Sequence, residues 1–140
     1  IGYIDYPASH WFSQGILSAN PDNVYFNMMI NGDSTLSPNN EANSLFKLEF
    51  YEDENQDGYY DQNTEDRLDI EFDVDWNGWK MISIKYSDLV LAWNSGGNAI
   101  REPNKIIKFR TLLLANPESG FAKADVDYIV WSEGSAILNQ

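Results

Sequence analysis

The sequence predicts an all-β domain, a two-sheet antiparallel sandwich of the jelly-roll type. Apolar and polar residues alternate with a period of two in short segments, Gly, Pro, Asn and Asp punctuate between them, and little of the chain is left for helices. A chain of 140 residues, 43% hydrophobic and 14% aromatic, has the material for one core. At this size roughly two-thirds of the unfolded surface is buried on folding, so no disulfide staple is needed. With no internal repeat, low-complexity tract or linker composition, the reading is one domain over residues 1–140.

The first clear strand carries Val24, Phe26, Met28 and Ile30 on one face and Tyr25, Asn27 and Met29 on the other, and Asn31-Gly32-Asp33 then turns the chain. Phe46, Leu48 and Phe50 alternate with Lys47, Glu49 and Tyr51. Leu68, Ile70, Phe72 and Val74 alternate with Asp69, Glu71, Asp73 and Asp75, so these two segments form a hairpin around residues 52–67. Further strands are expected over 79–86, 105–114 and 126–132. In the strand over 105–114, Ile107 and Phe109 take one face and Lys108 and Arg110 the other. Residues 38–44 read as a polar loop or short turn, and 87–102, with Gly96-Gly97, as an irregular excursion. Trp79, opening an apolar strand after Gly78, reads as a core residue, while Trp131 can face either sheet.

Charge narrows the partners. Asp and Glu number 22 against 9 Lys and Arg, a net charge of -13 that repels phosphate backbones and anionic lipid alike. No nucleic acid and no direct membrane insertion are expected, since no run of about 18 apolar residues is present. Cysteine is absent and His10 is the lone histidine, which leaves carboxylate oxygen, and hence a hard cation such as calcium, as the natural metal chemistry. The chain opens at Ile1 without a signal segment, which reads as a domain excised from a longer precursor, with the other domains of that parent as partners.

The sharpest motif lies inside the predicted hairpin. Asp53-Glu54-Asn55-Gln56-Asp57-Gly58-Tyr59-Tyr60-Asp61 matches the D-x-[DN]-x-[DN]-G start of an EF-hand-type calcium loop. Oxygens at alternate positions converge on one ion as the chain wraps it, and Gly58 permits the sharp turn. Asp53, Asn55, Asp57 and Asp61 supply side-chain oxygens in this reading, and Tyr59 its backbone carbonyl. An EF-hand would end in Glu at a place held here by Thr64, so the last ligand falls to Glu65 or Asp66. Flanking strands make it a structural clip rather than a sensor, and an ion-free acidic turn is the alternative.

The stretch Val74-Asp75-Trp76-Asn77-Gly78-Trp79-Lys80-Met81-Ile82-Ser83-Ile84-Lys85-Tyr86-Ser87-Asp88-Leu89 resembles the "GW-K-SI-YSD" strand of jelly-roll carbohydrate-binding modules and their galactose-binding-like relatives. The closing Asp125-Val126-Asp127-Tyr128-Ile129-Val130-Trp131 resembles their last strand. The insertion FYEDENQDGYYDQNTED is similar to domains of surface lipoproteins from glycan-degrading Bacteroidetes. The resemblance implies binding of a polysaccharide or oligosaccharide, and an extracellular or cell-surface setting on an outer-membrane lipoprotein.

The residues offer matching candidates. Trp93, in a loop beside Asn94, Ser95 and Gly96-Gly97, can stack on a pyranose ring if exposed. Trp76 and Tyr60 are further aromatic candidates, and Lys108 and Arg110 are donors for sugar hydroxyls or uronate carboxylates. Catalysis has no comparable support: 22 acidic residues privilege no pair, and there is neither Gly-x-Ser-x-Gly nor a phosphate-cradling loop. The expected function is a non-catalytic glycan-binding module with a structural calcium loop. The alternative is a spacer or assembly domain without a glycan site.

Overall fold

Alternation along the chain becomes two antiparallel sheets packed face to face in a computed structural model that describes residues 2–32, 44–115 and 123–137. One sheet runs in the order β1 (Gly2–Pro7), β7 (Ile106–Ala115), β3 (Ser44–Glu52), β4 (Arg67–Asp73) and β6 (Val90–Leu91). The other runs β5 (Gly78–Lys85), β2 (Val24–Gly32) and β8 (Asp125–Glu133). Helix among the described residues is confined to three-residue 3-10 turns at Pro21–Asn23, Tyr86–Asp88 and Pro103–Lys105. The predicted two-sheet antiparallel sandwich is therefore the observed architecture, and the six expected strands are present. Residues 33–43, on which most of the predicted loop at 38–44 falls, lie outside the described residues.

The core forms where the inner faces meet. Val24, Phe26, Met28 and Ile30 of β2 are all buried, opposite Phe46, Leu48 and Phe50 of β3 and Phe109 of β7. Phe26 meets Phe50 and Phe109 edge-on, each at 5.2 Å, and Trp131 at 4.9 Å. That geometry sets the positive ring edge against the negative face, worth about 0.5–1.5 kcal/mol per pair beyond area burial. Trp131 thus faces inward. Asn27 is buried on the other side of β2, and its polar atoms are satisfied. Its amide donates to the Val130 carbonyl at 3.0 Å and Ser132 Oγ at 2.9 Å, while its oxygen accepts from Ser83 Oγ at 2.7 Å and the Ile137 N–H at 3.1 Å.

Two expectations are corrected. Trp79 is 51% exposed rather than in the core. Along β5 the residues packed on the core are Ile82 and Ile84, so the pleat turns odd-numbered Trp79 to the outer face. On β7 the pairing with β3 shifts between Tyr51↔Lys108 and Glu52↔Ile106. The extra residue reverses the phase, so Ile106 rather than Ile107 joins Phe109 in the core.

Candidate metal centre and aromatic surfaces

The β3–β4 pairing brings the acidic residues together. Tyr51 lies opposite Arg67, and one step beyond, the Glu52 N–H donates to the Asp66 carbonyl at 3.0 Å. Just past this bond the carboxylates of Asp53 and Glu65 also come within 4.8 Å of each other. All four of these carboxylates are wholly buried at the mouth of the hairpin. Like charges facing across a strand pair repel, and burial deepens the cost. Successive residues alternate in direction, so the four separate into two groups. Asp53 and Glu65 join Asp57, and Glu52 and Asp66 join Glu54. Within each group a carboxylate oxygen of every member lies within 4.8 Å of the others, close enough to hold a metal ion.

The first group occupies the predicted loop. Asp53 accepts from the N–H groups of Asp57 at 3.1 Å and Gly58 at 3.0 Å, and Gly58 takes a left-handed φ of 89° to aim its amide there. Asn55 Oδ1 accepts from the Asp57 N–H at 2.8 Å, and Asp57 Oδ1 from the Tyr59 N–H at 2.9 Å. Glu65, rather than Asp66, is the late acidic residue brought to Asp53 and Asp57. Its Oε2 accepts from the Asp61 N–H at 2.7 Å, while its buried Oε1 has no hydrogen-bond partner. Burial pushes the Glu65 carboxyl above its ordinary range, countered by the nearby N–H groups of Asp61 and Asn55. The side chain of Asp61 is turned to its own loop, where it accepts from Asn63 N and Nδ2 at 2.9 and 3.0 Å.

The second group was not singled out in the sequence. Glu52 Oε1 accepts from the Tyr86 hydroxyl and the Glu102 N–H, both at 2.7 Å, and Oε2 is buried with no partner. Burial pushes this carboxyl up to about 7. Asp66 accepts from the N–H groups of Gly97 at 3.1 Å and Ala99 at 2.6 Å, and Glu54 from that of Asn98 at 3.1 Å. Gly97 is required at this clasp because a Cβ there would sit 1.9 Å from Glu54 Oε1 and 2.7 Å from the Asp66 backbone nitrogen.

The same clasp fixes Trp93. The Ala92 N–H donates to the Arg67 carbonyl at 2.8 Å, and Ser95 Oγ accepts from the Arg67 N–H at 2.9 Å. The backbone around Trp93 is tied to β4, yet its indole is 94% exposed. Tyr59, on the acidic loop, is 78% exposed. The other aromatic candidates have internal partners. Trp76 donates from Nε1 to the Ile30 carbonyl at 3.2 Å and lies under Lys80 Nζ at 4.6 Å. Tyr60 stands edge-on to Tyr51 at 4.8 Å.

Lys108 and Arg110 are likewise engaged. Arg110 forks onto Asp5 through Nε and Nη2 and covers the Tyr3 ring at 4.4 Å, and Lys108 sits 3.7 Å from Asp5 and 4.2 Å over Tyr51. A cavity of about 390 Å³ opens elsewhere, between Tyr6, Trp11, Phe12, Phe109, Tyr128 and Trp131. The Trp131 Nε1 is buried without a partner, and Tyr128 holds a strained φ of 53°. Sequence reasoning missed this cavity because it joins residues more than a hundred positions apart. Comparisons with protein-family models, curated proteins and solved structures return no match.

Proposed function

We propose that this protein is a non-catalytic glycan-binding module whose acidic hairpin loop holds a structural calcium ion. The observation that carries the binding reading is Trp93: a fully presented indole on a backbone already tied to β4 loses little further freedom when a sugar stacks on it. Oxygen-only ligands, a D-x-N-x-D-G loop and the unpartnered Oε1 of Glu65 fit calcium at the first group, with Asp53, Asp57 and Glu65 as the carboxylate ligands. The ion would neutralise the repulsion between Asp53 and Glu65 and so hold the loop whose Glu65 carbonyl accepts from the Gly96 N–H at 3.3 Å, beside the Trp93 segment. Wholly buried, Glu65 suits ion binding better than contact with a substrate. The resemblance adds a cell-surface setting within a longer protein.

A second aromatic surface, the cavity beside Trp11 and Tyr128, supports the same ligand class because its lining is largely aromatic, the kind of wall a sugar ring can stack on. The test is a panel of soluble polysaccharides and oligosaccharides titrated by calorimetry against wild type, Trp93→Ala and Trp11→Ala. Stacking on one ring is worth about 0.5–1.5 kcal/mol, so Trp93→Ala should weaken binding up to about tenfold, in a micromolar to millimolar affinity range. Loss with Trp11→Ala alone moves the site to the cavity. Absence of any binding leaves a spacer or assembly domain.

A further inference from the structure

We infer that the second carboxylate group, Glu52, Glu54 and Asp66, is a divalent-cation site in its own right, so that the hairpin mouth carries two ions on opposite sides. The two groups share no residue. Each holds one whole buried acidic pair from the hairpin mouth: Glu52 and Asp66 on this side, Asp53 and Glu65 on the other. One ion in the predicted loop would leave Glu52 facing Asp66 uncompensated, because alternation points them away from it.

Geometry favours a cation here beyond mere clustering of acids. Glu52 is wholly buried, and with Oε1 engaged by Tyr86 and Glu102, its Oε2 is left without a donor. A buried acceptor without a partner costs about 1–3 kcal/mol, more when charged, unless something electropositive meets it. The elements converge from three directions: Glu52 ends β3, Asp66 precedes β4, and Glu54 reaches from the loop. The segment 97–99 closes over them with its N–H groups on Asp66 and Glu54, using a left-handed φ of 62° at Ala99 to do so. These donors orient the two carboxylates and leave further lone pairs on each oxygen. Oxygen-only ligands select calcium or a similarly hard ion over zinc or copper.

Calcium alone is the probe. Equilibrium dialysis with elemental analysis on the chelator-stripped, folded chain should find two ions in wild type, one in Glu54→Gln and one in Asp57→Asn. Glu54 is the better variant because it is partly exposed, whereas Glu52→Gln, which keeps the Tyr86 contact, serves as a second check; circular dichroism confirms that each variant is folded. A single ion lost in Asp57→Asn and kept in Glu54→Gln overturns this site and leaves the predicted loop site standing. The reverse pattern supports this site and overturns the loop site. A single ion lost in both variants overturns two separate sites in favour of one shared ion, and no ion in wild type overturns both.

Discussion

Glu52 and Asp66 face each other across the mouth of the β3–β4 hairpin, main chains joined by a 3.0 Å hydrogen bond and both side chains wholly buried. Such a pair is held together by the chain and pushed apart by its charge. Whatever relieves the repulsion therefore stabilises the hairpin.

Calcium should raise the melting temperature and chelator lower it. An ion that binds only the folded state adds RT ln(1 + [L]/Kd), about 2.7 kcal/mol for one site at a hundredfold excess over Kd. Asp57→Ala should remove most of that gain while the core around Phe46, Leu48 and Phe50 stays folded. Scanning calorimetry in calcium and in chelator checks this, and identical curves in wild type return the loop to an acidic turn.

Gly97→Ala should cost about 1–3 kcal/mol, the range for forced overpacking, since its Cβ would crowd backbone as well as side chain. Gly2→Ala, with open space around its Cβ, should change stability by less than about 0.5 kcal/mol. Urea unfolding of both variants measures the difference. Equal effects would show that the clasp over Asp66 and Glu54 is looser than its distances imply.

Phe109→Ala should be the most damaging of these substitutions, at about 3–5 kcal/mol. Its ring stacks on Tyr6 at 4.6 Å and 6° and borders Phe26, Phe50 and Trp131, so both sheets lose contact with one deletion. A loss under about 1 kcal/mol by chemical denaturation would contradict this packing.

Asp5 links acid stability to β1. The Arg110 hydrogen bonds hold its carboxyl below the ordinary 3.8, against a smaller opposing effect of burial. A lowered folded value means that the unfolded chain binds the proton first, so the pair's contribution is present above 3.8 and lost as pH falls through the folded value. Asp5→Asn should flatten that part of the stability profile relative to wild type and shift neutral stability little, because the pair is partly solvated. Unfolding midpoints measured from pH 2 to 7 decide it.

Much of this was legible in the residues. Strict alternation at Val24 to Ile30 and at Phe46 to Phe50 defined strands whose inner faces are buried as expected, and the acidic motif placed its turn inside the correct hairpin. Other features depend on information that residue types do not carry. β6 is two residues long and too short to show a period. The orientation of Trp79 followed from which parity of β5 meets the core, and the phase of Ile106 from a bulge. The Glu52 group stayed hidden because Glu54 holds a position the motif leaves unspecified, Glu52 and Asp66 lie outside it, and the three meet only once the hairpin register is known.

The borders of the two sheets carry a further consequence. β1 presents Asp5 and ends at Pro7, β6 offers only Val90 and Leu91, β5 bears Lys80 and Lys85, and β8 bears Asp125 and Asp127 beside a pairing irregularity opposite Asn27 and Met29. Charges, proline, brevity and bulges are the means by which open strands avoid recruiting another chain. Many copies crowded side by side should therefore remain separate molecules, with none of the described strands left open to seed a fibre.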